Sequence, residues 1–275
     1  MRLEPKSFRG CSLNDHESCS ALGFAYSKGI SFREDKARAK PYLEKSCSSD
    51  IGISCAQLGE DYAERGPEGM KMALALLGRA CELGTASGCA SLANKFRKVD
   101  DGSNSSRFVP LYKRACLLDY AVSCTTLADL YLEGVEVPSS IPSALEYFQT
   151  ACTLDSGYGC AQVGRLTLRS TTNEEAFANA IGFLEKSCIL KFGDGCYILS
   201  LALTPKTASE AEDTPALNAA AKGCELGSSR ACHQAGVLEL SNGENRTARG
   251  YFDRACTAGL NDSCAAANGI DSETP

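Results

Sequence analysis

The chain has 275 residues, 44% of them hydrophobic and 23% charged, enough apolar material to pack one large domain or two small ones. A net charge of −6 and a pI near 5.2 argue against a nucleic-acid binder, which needs a basic face. No apolar run approaches the roughly 18 residues needed to cross a bilayer, so no transmembrane segment is expected.

From the N-terminus onward, the sixteen cysteines set the rhythm. They fall at Cys11 and Cys19, Cys47 and Cys55, Cys81 and Cys89, Cys116 and Cys124, Cys152 and Cys160, Cys188 and Cys196, Cys224 and Cys232, and Cys256 and Cys264. Every pair has the spacing C-x7-C, and first members recur every 32 to 36 residues, the period of stacked helical hairpins.

The first cysteine of each pair reads as the end of a helix. A small residue precedes it in the last seven pairs (Ser46, Ala80, Ala115, Ala151, Ser187, Gly223, Ala255). One turn earlier on the same face stand Leu43, Leu77, Tyr112, Phe148, Leu184, Ala220 and Phe252. Two residues before it a cation is usual, as in Lys45, Arg79, Arg114, Lys186, Lys222 and Arg254, suited to the negative end of a helix. Three residues after it come Gly84, Gly227 and Gly259 or Asp50, Asp119 and Asp155, which end helices and turn the chain.

The second cysteine opens the next helix. An apolar residue follows at +3 and a small one at +4, for example Leu22 and Gly23, Leu58 and Gly59, or Val163 and Gly164. This predicts one solenoid domain over residues 1–268, with repeats starting near 17, 53, 87, 122, 158, 194 and 230. Polar loops are expected over 97–107 and 204–215, and a disordered tail over 269–275.

The runs "CSALGFAY" at 19–26 and "CAQLGEDY" at 55–62, followed by "YLEKSC" or "LYKRAC", resemble the Sel1-like subclass of tetratricopeptide-type repeats. In its paired-cysteine form the chain is similar to the cysteine-rich secreted Sel1-repeat proteins of Helicobacter. The resemblance covers residues 8–267. It implies an all-α fold, an α/α solenoid of about seven to eight helix-pair repeats.

Three chemistries compete for C-x7-C. Zinc sites favour short C-x2-4-C spacings and four converging ligands. A dithiol redox centre favours C-x-x-C, and one copy suffices. The third reading, a disulfide tying the end of one helix to the first turn of the next, fits eight repeated copies. A closed loop of nine residues contributes roughly 2.5 kcal/mol in the chain-entropy model.

Sixteen cysteines favour an oxidising compartment, yet "MRLEPKSFRGC" lacks the apolar stretch of a secretory leader. The expectation is a periplasmic or secreted protein whose signal or lipid anchor is absent from this numbering. The alternative is import into the mitochondrial intermembrane space.

No catalytic constellation emerges. The chain has only two histidines, His16 and His233, and if all thiols are paired no cysteine nucleophile remains. The resemblance raises one enzymatic alternative, β-lactam or cell-wall-fragment binding with hydrolysis. Of its usual elements, S-x-x-K, S-D-N and K-T-G, none occurs; "KTA" at 206–208 comes nearest. No cofactor or metal is expected.

In tetratricopeptide-like stacks the first helix of each pair lines the concave face. The resemblance therefore places Phe24, Glu60, Asn94, Asp129 and Arg165 in a polar row, and Leu168, Tyr197, Leu201, His233 and Val237 in a more apolar one. The function this implies is a monomeric scaffold that holds a protein or peptide partner in the groove outside the cytosol, with an inhibitor or immunity-type protein as a narrower version.

Overall fold

The computed structural model describes residues 5–99, 104–170, 173–204 and 214–270. Residues 100–103 and 205–213 of the two expected polar loops, the "KTA" stretch and residues 271–275 of the expected tail lie outside the described residues, while helices run up to 99 and on from 105 and 214, inside the expected loop bounds. The described chain is all helical and divides into two compact units, Met1–Ile141 and Pro142–Pro275.

Unit 1 holds α1 (Pro5–Ser12), α2 (His16–Lys28), α3 (Lys36–Ser48), α4 (Gly52–Ala63), α5 (Pro67–Glu82), α6 (Ala86–Val99), α7 (Ser105–Leu117) and α8 (Ala121–Glu133). Unit 2 holds α9 (Ile141–Thr153), α10 (Gly157–Ser170), α11 (Glu174–Ile189), α12 (Gly193–Leu203), α13 (Thr214–Glu225), α14 (Ser229–Ser241), α15 (Asn245–Thr257) and α16 (Asn261–Gly269). Each first cysteine sits in the last turn of an odd-numbered helix and each second cysteine in the first turn of the even-numbered helix that follows. Eight disulfides join them, with Cα atoms 4.4 to 4.8 Å apart.

The short turn inside each disulfide loop is one motif used eight times. The residue three past the first cysteine has φ between 58° and 91°, not only at the glycines and aspartates picked out in the sequence but also at Asn14 and Lys191. Its N–H bonds to the first cysteine's carbonyl, and the next N–H reaches the carbonyl of the small residue before that cysteine, each at 2.9 to 3.2 Å. These two bonds satisfy carbonyls that a helix end would otherwise leave unpaired.

Packing between repeats also repeats. A Cβ placed on Gly23, Gly59 or Gly164 would come within 2.6 to 2.8 Å of Leu43, Leu77 or Leu184, the large residue one turn before the next first cysteine. Those leucines are fully buried. The small residue at +4 is thus the socket for the following helix.

The cations two residues before the first cysteines do more than the sequence expectation. They lie in the last turn of their own helices, as expected, and most of them also reach the preceding repeat. Lys45 donates to the Cys11 carbonyl at 2.9 Å, Lys186 to Cys152 at 2.8 Å and Arg254 to Cys224 at 3.3 Å. The reason is stagger: adjacent repeats bring the same helix end alongside, where a carbonyl lone pair remains free.

Within each unit the even-numbered helices pack closely against their successors, α2 with α4 and α4 with α6, α10 with α12 and α12 with α14. The odd-numbered helices touch their successors far less. The even-numbered helices therefore form the more closely packed layer of each unit.

Candidate functional site

All ten groove positions lie on even-numbered helices. In unit 1, Phe24 is on α2, Glu60 on α4, Asn94 on α6 and Asp129 on α8; in unit 2, Arg165 and Leu168 are on α10, Tyr197 and Leu201 on α12, and His233 and Val237 on α14. What surrounds them differs sharply.

The polar positions of unit 1 are occupied by their own neighbours. Lys95 donates to the Glu60 carboxylate at 2.9 Å, linking α6 to α4. Burial alone raises the Glu60 carboxyl, but hydrogen bonds from Ser91 and Lys95 and the charges of Lys95 and Lys28 outweigh it and hold it below the usual range. Tyr112 donates to Asn94. Asp129 is half-buried and engaged. Nearby, Arg97 grips Glu136 with two nitrogens at 2.6 to 2.9 Å. Phe24 alone of the four presents an exposed apolar side chain.

In unit 2, Arg165 donates to Gln162 at 2.7 Å. Leu168 is partly buried against the cluster of Leu184, Cys188, Cys196, Leu199 and Ala219. Tyr197 lies under the Arg230 guanidinium, 5.4 Å from its ring, and Arg230 pairs with Asp194. His233 is tied by Nδ1 to Ser263 Oγ at 2.8 Å and rests 5.3 Å from the Phe252 ring. That leaves Leu201 and Val237, 45% and 42% exposed, with Leu240 at 43% a turn beyond Val237. Leu201 and Val237 occupy the same place in consecutive repeats, on helices that touch. Sequence reasoning missed Arg230 because it enters from the neighbouring repeat's turn, a contact with no local signature.

The chemistry available is recognition. All sixteen cysteines are paired, and among the described residues no three His, Cys, Asp or Glu side chains converge as a metal site. No described helix is long and apolar enough to cross a membrane.

Stacked helix pairs locked by a disulfide at each hairpin define a helical-repeat scaffold. The Sel1 repeat family matches residues 16–50, 53–85 and 121–156; these segments are Sel1 repeats, and the eight cysteine pairs fit the cysteine-rich form of such proteins. The crystal structure of a Sel1 repeat protein from Oxalobacter formigenes is similar over 93% of this chain and 76% of its own, with TM-score 0.68 at 14% identity. That of c5321, a protective antigen of uropathogenic Escherichia coli displaying an SLR fold, is similar over 97% and 68%, with TM-score 0.51 at 17% identity. Cytochrome c oxidase assembly factor 7 of Xenopus tropicalis is 32% identical over 91 residues, and the chain spans 39% of that relative's length. Eight internal disulfides place the protein in an oxidising environment outside the cytosol.

Proposed function

We propose that this Sel1-repeat scaffold binds a protein or peptide partner on the even-helix face of unit 2, in the periplasm or after secretion. The observation that carries the reading is the apolar surface of Leu201, Val237 and Leu240 left uncovered on adjacent helices, where the other positions of the row are engaged. Exposed apolar side chains in register on a rigid face suit an apolar anchor of a partner. The disulfides support it by fixing the surface in advance, which lowers the ordering cost of binding. The assembly role in the name of the Xenopus relative is of the same kind, action on another protein; the mitochondrial intermembrane space stays the alternative compartment. An inhibitor or immunity-type protein is the narrower form.

The test compares affinity capture from a periplasmic extract by the native chain and by Leu201→Glu and Val237→Glu. Both variants should keep the melting temperature and lose the captured protein. Undiminished capture by both would sink this choice of surface. A chain that captures nothing, yet gains thermal stability with penicillin or muropeptides, is instead a cell-wall ligand binder.

A further inference from the structure

Unit 1 contains a cavity of about 420 Å³ between α2, Leu43 of α3 and the start of α4, within the size range of small-ligand pockets. Its wall is apolar, built from Phe24, Leu43, Ile51 and Ile53. Ile53 and Phe24 are 52% and 37% exposed there, so the wall is open to an occupant.

Two polar groups face this wall. Ser20, buried, accepts from Ser54 at 2.8 Å, the end of a hydroxyl chain that begins with Ser46 2.7 Å from Ser54. With the chain running in this direction, no described residue accepts the Ser20 proton. Glu17, exposed, also lines the cavity, and among the described residues its carboxylate makes no ion pair or hydrogen bond. The usual duty of an acid in the first turn is already performed by Asp15, which caps α2 by accepting from the Glu17 N–H. Lys45 is engaged elsewhere, on the Cys11 carbonyl, and the His16 ring contacts Ser49.

An apolar chamber with an exposed carboxylate and a hydroxyl donor in its lining fits one chemistry: an apolar side chain next to an ammonium and a carbonyl. We propose that this cavity binds the apolar N-terminal residue of a peptide, with the ammonium on Glu17, the first carbonyl on Ser20 and the side chain against Phe24 and Ile53. The site is independent of the unit 2 surface. Glu17→Gln leaves that surface untouched and Leu201→Glu leaves this one untouched, so either reading can fail alone.

The experiment is calorimetric titration of the full chain with a Phe-Ala-Gly-Ser amide, its N-acetyl form and phenethylamine. The free peptide should bind, and acetylation should weaken it about tenfold, the usual weight of one charge-assisted contact. Glu17→Gln should cost the free peptide a similar factor, leave the acetylated form unchanged and keep the melting temperature. Phenethylamine, which lacks the carbonyl, should bind more weakly than the peptide. Equal binding of free and acetylated peptides, phenethylamine binding as tightly as the peptide, indifference to Glu17→Gln, or no binding of any probe at millimolar concentration would each overturn the proposal.

Discussion

Units 1 and 2 share one cysteine frame and fill the space between repeats differently. Between α2 and α4, unit 1 buries a carboxylate: Asp61 accepts from Ser27 at 3.1 Å and from Gln57 at 2.9 Å, all three nearly inaccessible. Among the described residues of unit 2 the buried polar side chains are serines alone, and leucines dominate the facing positions of α10, α12 and α14. Polar groups that find partners inside the protein are closed to outsiders, whereas surplus apolar surface is open to them. Variation at a few positions per repeat thus gives one frame polar positions satisfied by their neighbours, as between α2 and α4, and apolar positions left open, as at Leu201 and Val237.

The largest test of this comparison asks whether the frame is common to both units. Gly59→Leu in unit 1 and Gly164→Leu in unit 2 each force a side chain into a buried leucine of the next helix, and each should cost about 3 kcal/mol. Chemical denaturation measures both; a cost confined to one unit would show that the socket is not shared.

Removing the final staple comes next. Cys256 and Cys264 are half-buried while the other fourteen cysteines are at most 5% exposed. Limited reduction followed by alkylation and mass analysis should label this pair first. Replacing both by serine should cost up to about 2.5 kcal/mol.

The buried carboxylate is specific to unit 1. Asp61→Ala strands Ser27 and Gln57 and should lower stability by about 2 kcal/mol, read by calorimetry. A loss under 0.5 kcal/mol would remove the contrast between the units. The opposite sign is expected at Ser200 in unit 2, whose buried hydroxyl has no partner. Ser200→Ala should gain about 1 kcal/mol.

The smallest effect is electrostatic. Because the folded protein holds the Glu60 carboxyl low, its bridge to Lys95 stabilises above the ordinary value of 4.5 and is lost as pH falls through the lower folded value. Both side chains are partly exposed, so Glu60→Gln should cost only about 0.5 kcal/mol at neutral pH. The difference from the native chain should close in acid, and a constant difference from pH 7 to pH 3 would assign the loss to packing.

Much of this was legible in the residues because each repeat reports on the others. The glycine sockets, the large residues they receive and the turns at Asp50 or Gly84 follow from local chain geometry and return at a fixed period, so a single-sequence comparison exposes them. Lys191 shows the limit: a lysine carries no preference for positive φ, and only the recurrence of the turn accounts for it. The reach of Lys45 to Cys11, the cover of Arg230 over Tyr197 and the bond of His233 to Ser263 join residues about 30 apart, with no pattern to announce them.

The amino-acid sequence by itself determined the helix pairs and the eight-fold linkage of cysteines, since helix period, caps and loop closure act over fewer than ten residues. Only the tertiary structure decided which groove positions are consumed by neighbouring repeats and which stand free. Glu60 and Arg165 read as equivalent polar contacts in sequence, but one is bridged to the next repeat and the other is held by its own helix. Leu168 and Leu201 read as equivalent apolar contacts, but the first is drawn into the core. Exposure is a property of what packs alongside, and in a repeat protein that neighbour lies a full period away.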